Sequence, residues 1–373
     1  VKIKRILKWS TGAILLALVL CVFIGYWTST NECGSKTGAP TNPMKAIRYC
    51  EYGTPDVVKL DDVEKPLPAD NQVLIKVRAA SLNALDVYLI RDSWLGRLMF
   101  GLRKPRDTRI GRDVAGVVEA VGKNVTQFKP GDEVFGICRG ALAEYACASE
   151  RGLVIKPPSV PFEQAASLPL AGLTALQGLR EGKIQPGQKV LINGATGGVG
   201  TFAVQIAKSF DAEVTAVCST RNVDLVRSIG ADHVIDYTKE DFTKSDQRYD
   251  VIFDNVCNHS FFERRRVLTP KGICVLAGMG GAGVKEGQAI GRIVGNLFIA
   301  RGLSAFTDQK FAQYMTKLSK PDLILLGGLM QAGKVRPVIE RTYKLSDAPE
   351  ALRQLDAGHA RGKLVITVGE ESR

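Results

Sequence analysis

The spacing of apolar residues changes character several times along this chain, and each change predicts a different kind of structure. From Trp9 to Asn31 there is no charged side chain, and residues 13–27 are almost continuously apolar. Between 44 and about 160 the apolar positions fall in short β-rich runs at 45–49, 72–79, 116–121, 133–137 and 143–148. Pro66, Pro68, Pro130-Gly131 and Pro157-Pro158 punctuate them, the pattern of a strand-rich lobe. Across 162–181 the period becomes helical. Strands at 189–192, 213–217, 233–235, 251–253 and 273–276 then alternate with helices from Gly198, over 222–229 and over 261–268. That alternation predicts an α/β fold with a parallel, doubly wound sheet. The tail, 333–368, returns to strand–helix–strand and closes on a run at 363–368. A doubly wound unit inserted between two parts of a β-rich lobe accounts for this order, with segments at 1–30, 31–43, 44–162, 163–310 and 311–373.

The first segment reads as a single-pass membrane anchor. A spanning helix needs about 20 apolar residues with Trp or Tyr at its ends. Trp9 and Trp27 bracket such a length, behind the basic flank Lys2, Lys4, Arg5 and Lys8. A cleaved signal peptide is the rival, against which stand the length of the run and the lack of an A-x-A site. A third reading is a sequence begun upstream of a true start at Met44. Residues 28–43 are polar and rich in Gly, Pro, Ser and Thr, hence a tether. The positive-inside rule keeps the amino terminus cytoplasmic and sends the body across, but Lys36 and Lys45 soften the asymmetry and leave the face open.

Composition narrows the classes. Hydrophobic residues make up 45% and charged residues 24%, which excludes disordered and collagen-like chains. Of the net charge of +12, residues 1–43 carry +4, and the rest is spread without a basic block, so no nucleic-acid surface is expected. The eight cysteines, at 21, 33, 50, 138, 147, 218, 257 and 274, form no CxxC and no regular spacing. They signal neither a zinc ribbon nor a disulfide framework, and favour buried thiols in a reducing compartment.

The strongest chemical signal lies between 190 and 200. An apolar strand runs into Asn193-Gly194-Ala195-Thr196-Gly197-Gly198-Val199-Gly200 and straight on into a helix. Gly197 and Gly200 take the second and third glycine places of a dinucleotide loop and Ala195 the first. Gly197 lets the backbone approach a pyrophosphate, and Gly200 allows close helix–strand packing. The helix start offers free N–H groups and a positive dipole end to the phosphates. An acid at the end of the second strand would hold an NAD ribose. This chain has Ser219 and Arg221 instead, a hydroxyl and a guanidinium suited to a 2′-phosphate, so NADPH is preferred. Arg221 is otherwise an ordinary solvated residue at a helix start.

From Met44 to Val368 the chain resembles the zinc-independent, quinone-oxidoreductase branch of the medium-chain dehydrogenase/reductases. The resemblance rests on Ser81-Leu-Asn-Ala-Leu-Asp86, Gly111-Arg-Asp-Val-Ala-Gly116, Lys129-Pro-Gly-Asp-Glu-Val134, Ala165-Ala-Ser-Leu-Pro169, the loop ending at Gly200, Ile235-Asp-Tyr237 and Gly362-Lys-Leu-Val-Ile366. It implies a GroES-like catalytic lobe carrying an inserted Rossmann sheet. It also implies that Asn83 and Tyr88 line the site beside the nicotinamide, that Thr174 begins a cofactor-facing helix, and that Tyr237 and Asn255 border the cofactor. Arg112 either stabilises developing charge or pairs with Asp86 or Asp113. Tyr88 is either a proton donor or an aromatic core residue.

Zinc-dependent members of that family have Gly-His-Glu where this chain has Gly111-Arg112-Asp113, and a cysteine ligand where it has Asn83. The chain has three histidines, His233, His259 and His359, and none stands with cysteines in a zinc-ligand pattern. No metal is expected. Bare hydride transfer then suits quinones and α,β-unsaturated carbonyls, whose conjugation spreads the incoming charge. The alternatives are a zinc-free alcohol dehydrogenase or ketone reductase and a membrane-bound NADPH sensor without turnover. Residues 94–109 read as a loop, apolar and basic by turns, in which Trp94, Met99 and Phe100 shape a substrate mouth or cap their own lobe. The apolar stretch 289–306 is expected to hold an edge strand for a homodimer.

Overall fold

The structure is a computed structural model, which describes residues 33, 39–277, 308–358 and 360–369. The expected anchor and dimer strand lie outside the described residues, as does His359. Among the described residues no helix is long and apolar enough to cross a membrane.

The first lobe is built from β1 (Pro43–Tyr49), β2 (Val58–Glu64), β3 (Gln72–Ser81), α1 (Ala84–Ile90), α2 (Trp94–Phe100), β4 (Asp113–Val121), β5 (Glu133–Ile137), β6 (Tyr145–Ser149) and β7 (Leu153–Ile155). β1 and β2 pair antiparallel as a ribbon, and the other strands enter a larger sheet. β3 is its spine: Val73, Ile75 and Val77 are buried toward one core while Lys76 and Arg78 are exposed, the alternation a pleated strand imposes. Residues 94–109, read as a loop, begin as the short helix α2, with the Ser93 hydroxyl accepting from the Gly96 N–H at 2.9 Å.

The helical run at 162–181 is broken into α3 (Phe162–Ser167) and α4 (Pro169–Glu181). Pro169 has no N–H to continue the first helix and its fixed φ suits the first turn of the second. The second lobe continues with β8 (Lys189–Asn193), α5 (Gly198–Ser209), β9 (Glu213–Cys218), α6 (Val223–Ser228), β10 (His233–Asp236), β11 (Tyr249–Asp254), α7 (Phe261–Arg266), β12 (Leu268–Leu276) and β13 (Lys310–Gln313). Its six strands run parallel in the order β10-β9-β8-β11-β12-β13. The strand order reverses between β8 and β11, and ligands of doubly wound sheets bind in the crevice at that point. The boundary expected at 310 falls inside β13, so the sheet takes one more strand than the sequence period assigned to it.

The tail supplies α8 (Lys320–Gln331), β14 (Ile339–Lys344), α9 (Ala348–Asp356) and β15 (Lys363–Thr367). α8 packs on α4. β15 pairs antiparallel with β3, so the last strand completes the sheet that the first lobe began, in the order β14-β15-β3-β4-β5-β7.

One expectation is overturned. Cys33 and Cys50 form a disulfide, which fastens the tether to the end of β1. A cross-link between a linker and a strand end leaves no periodic trace in sequence, so the unpatterned spacing was a poor guide to it. Cys138, Cys147, Cys218, Cys257 and Cys274 are not disulfide-bonded, and all but Cys147 are buried; the argument for a reducing compartment no longer rests on all eight.

Candidate active site

The glycine loop leaves the end of β8 through Gly194, whose φ of +82° suits a residue without a side chain. Ala195 is buried, while Thr196, Gly197, Gly198 and Val199 are half-buried at the mouth of the crevice. The glycines do different work. A Cβ on Gly200 would sit 2.0 Å from the Gly194 carbonyl oxygen, so this glycine is required by the turn itself. A Cβ on Gly197 would meet only that same oxygen, at 3.8 Å. The protein leaves the space over Gly197 open, as a phosphate group approaching the backbone needs.

The carboxyl ends of β9 and β11 flank the loop. Asn222 is buried and donates to the Ser219 hydroxyl at 3.1 Å and to Thr196 at 3.5 Å, linking the second strand to the loop; its Oδ1 is buried and unpartnered. The sequence reading missed Asn222. Arg221 is exposed one residue away, and Tyr237 is exposed, with its N–H on the Cys218 carbonyl at 3.0 Å. The Asn255 N–H donates to the Asn193 carbonyl at 3.1 Å, placing Asn255 at the crest of the sheet. The turn that holds it is organised by buried Asp254, which accepts from Asn193 Nδ2 at 2.8 Å, Cys257 N at 2.8 Å and Arg264 Nε at 2.6 Å.

Facing this crest, four donors converge on the buried Asp113 at the head of β4. Its Oδ2 accepts from Ser81 Oγ at 2.9 Å, Asn83 Nδ2 at 2.9 Å and Lys363 Nζ at 3.3 Å, and its Oδ1 from the Leu170 N–H in the first turn of α4 at 2.9 Å. Lys363 Nζ also donates to Asn83 Oδ1 at 2.7 Å. The Asn83 amide is therefore held at both ends, which fixes its orientation and leaves its second N–H for another acceptor. Lys363 is 2% exposed, and burial pulls its ammonium below the ordinary value against the pull of Asp113. Asp86, also buried, accepts from the Asn83 N–H at 2.8 Å and the Gly111 N–H at 3.1 Å. Burial pushes its carboxyl up to about 6, with the Asp113 charge adding to the rise.

The same tail segment meets the glycine loop. The Gly362 N–H donates to the Thr196 carbonyl at 2.7 Å, Gly197 and Gly362 form a parallel bridge, and a Cβ on Gly198 would lie 3.0 Å from Lys363 Cδ. Asn83 and the loop are thus joined through two consecutive residues, Gly362 and Lys363.

Other expected residues sit differently. Arg112 pairs with neither Asp86 nor Asp113, because those carboxylates are taken by backbone N–H groups and by Lys363. Thr174 lies in the second turn of α4 rather than at its start, bonded to the Leu170 carbonyl at 2.7 Å and to Thr316 at 2.9 Å. Tyr88 is half-buried on α1, with Arg91 5.9 Å from its ring; burial raises its phenol, which keeps its proton at neutral pH. Lys363 and Asp113 were missed as site residues, although a lysine heading an otherwise apolar strand was a readable sign. Two surface hollows of about 880 and 770 Å³ touch neither Asn83 nor the loop. Among the described residues no group of three or more His, Cys, Asp or Glu is placed to hold a metal ion.

Residues 69–158 match the alcohol dehydrogenase GroES-like domain, and residues 229–366 match a family described as zinc-binding dehydrogenase. The mouse NAD(P)H oxidoreductase RTN4IP1, mitochondrial, is 36% identical over 366 residues, covering 90% of this chain and 91% of that protein. The chain belongs to the medium-chain dehydrogenase/reductase superfamily. The tomato 2-methylene-furan-3-one reductase is 36% identical over 87% of this chain and 79% of its own length. The quinone oxidoreductase structure from Coxiella burnetii superposes with a TM-score of 0.75 at 33% identity, covering 88% of this chain and all of that one. As a member of this superfamily the chain is an NAD(P)H-dependent oxidoreductase.

Two outcomes test this geometry. Gly197→Ala should fold with an unchanged melting temperature and lose coenzyme affinity at least tenfold, whereas Gly200→Ala should destabilise the protein before any ligand is added; thermal melts with coenzyme titration separate them. Asp113→Asn, which leaves the Lys363 ammonium buried without its counter-charge, should cost on the order of 3 kcal/mol in urea unfolding. Asp113→Asn/Lys363→Met should recover part of that loss, and strict additivity of the two changes would show that the pair does not interact.

Proposed function

We propose that this protein is an NADPH-dependent, zinc-free reductase of quinones or α,β-unsaturated carbonyls. The observation that carries the reading is the Asn83–Asp113–Lys363 cluster, joined to the glycine loop through the adjacent Gly362. It joins the reacting end of the site to the coenzyme end and puts an ammonium among the donors at the position where zinc-dependent relatives hold a metal. A cation bound there would be repelled by Lys363.

NADPH, when bound, supplies the hydride. The chain's own residues do the rest. The open backbone at Gly197 and the first turn of α5 receive the pyrophosphate, and Ser219 and Arg221 receive the 2′-phosphate. The free N–H of Asn83 orients the substrate carbonyl or the nicotinamide amide. As hydride reaches the conjugated acceptor, charge grows on its oxygen, and the protonated Tyr88 phenol or an ordered water delivers the proton. The relatives named for reduction of a 2-methylene-furan-3-one, an alkenal or a quinone support this substrate class.

The reading includes an anchor at 1–30 and a homodimer through 289–306. The anchor is supported by the uncharged, Trp-bracketed run and its basic flank. The Cys33–Cys50 disulfide supports a body on the oxidising, non-cytoplasmic side, since such bonds persist where thiols are not kept reduced.

Assays of NADPH oxidation with a quinone, a 2-alkenal and a simple ketone should show turnover of the first two. Turnover of the ketone alone would replace this reading with a ketone reductase, and tight NADPH binding without turnover would favour a sensor. Arg221→Ala should weaken NADPH at least tenfold more than NADH by fluorescence titration; equal losses would remove the 2′-phosphate assignment.

A further inference from the structure

Helix α2 presents an apolar face that is left exposed among the described residues. Trp94, Leu98 and Met99 are 59%, 55% and 61% exposed, and they lie together on one side of the helix, at i, i+4 and i+5. Large apolar side chains clustered in this way mark an interaction site more often than singly scattered ones do. The segment that follows is basic: residues 101–110 hold four Arg and Lys against one Asp. Asp92 is engaged by Arg97 at 2.6 Å and Asp107 by Arg109 at 2.8 Å, while Arg103, Lys104 and Arg106 stand exposed just beyond the helix.

The disulfide decides what lies against this face. Cys50 is the residue after β1, and the surrounding bonds run directly to α2 and its loop. Arg48 Nη2 donates to Cys33 Sγ at 3.2 Å, the Tyr49 N–H to the Thr108 carbonyl at 3.1 Å, and the Tyr52 hydroxyl to the carbonyl of Gly101, which caps α2, at 2.9 Å. The Arg97 guanidinium lies 5.1 Å from the Tyr52 ring. The tether is therefore fastened beside α2.

Fastening it there also shortens it. Without the cross-link, residues 28–43 separate the apolar run from β1, and 16 extended residues reach roughly 55 Å. With Cys33 bonded to Cys50, five residues, 28–32, separate the cross-link from the apolar run, and five extended residues reach roughly 17 Å. The body cannot stand off from the end of the apolar run, and the side turned toward it is the side that carries α2.

We infer that α2 and the basic segment after it form a docking surface for an anionic lipid bilayer, with Trp94, Leu98 and Met99 inserted at the interface and Arg103, Lys104 and Arg106 over the headgroups. This rests on the anchor reading given above. The surface uses the ordinary division of labour of interfacial helices, apolar side chains in the acyl boundary and basic ones at the phosphates. It would also bring the catalytic lobe against the phase that holds apolar quinones and lipid-derived enals.

The test uses the full chain reconstituted in vesicles, with Trp9→Phe and Trp27→Phe so that Trp94 is the remaining tryptophan of three. In phosphatidylserine-containing vesicles whose acyl chains carry bromine, Trp94 emission should fall at least twofold, because bromine quenches only at contact. Arg103→Glu/Lys104→Glu/Arg106→Glu should abolish most of that quenching. Unquenched Trp94 in anionic vesicles would overturn the inference, and so would equal quenching in the charge-reversed variant or in vesicles of phosphatidylcholine alone. Alkaline extraction of the same vesicles reads the anchor separately. A chain released by alkali but quenched at neutral pH would refute the anchor and keep the docking surface; a chain retained but unquenched would do the reverse.

Discussion

A single buried carboxylate sets the terms for the rest of this molecule. Asp113 has no access to water, so its charge is tolerable only while its four donors are in place, and those donors come from three separate stretches of chain. Ser81 closes β3, Asn83 opens α1, Leu170 begins the helix that leads into the nucleotide lobe, and Lys363 heads the final strand. Each of these elements must reach its place for the charge to be satisfied. The carboxylate thereby specifies how the two lobes meet, in a way apolar packing between them would not, since apolar contacts are tolerant of direction and buried charge is not.

The same requirement explains why the site is rigid where it must be. Asn83 is fixed by a carboxylate at one end and an ammonium at the other, and the ammonium's stem packs against Gly198 of the coenzyme loop. A second buried pair, Asp254 with Arg264, plays the corresponding part within the nucleotide lobe by shaping the turn that carries Asn255. Ion pairs of this kind contribute little net stability, but they hold reacting groups in one geometry.

What could be read in the sequence follows from how local each signal is. Strand β5 was placed at 133–137 from its apolar run between turns, and the loop at 194–200 from its glycines between a strand and a helix, because both are encoded within a dozen residues. The ribbon strand β2 was not seen: Val58–Glu64 is mostly exposed and acidic, so no apolar face marks it. The break at Pro169 was overrun by a helical period that continues on both sides of it. In the site, Asn83 was found by resemblance, whereas the pairing of Asp113 with Lys363 spans 250 residues and has no local pattern at all. Cys33 and Cys50 were missed for a related reason, since their spacing of 17 residues carries no periodic signal of the cross-link.

The bridge between Gly197 and Gly362 has a consequence for the order of events in synthesis. A Rossmann unit is usually able to form its nucleotide loop once its own strands exist. Here the loop's outer edge is hydrogen-bonded by Gly362, which is synthesised well after the last strand of the parallel sheet, and the next residue supplies the buttress behind Gly198. A nascent chain that has completed all six parallel strands still lacks the backing of its coenzyme loop. Coenzyme capture thus waits on residues beyond the parallel sheet, and a chain stopped short of β15 is built without it.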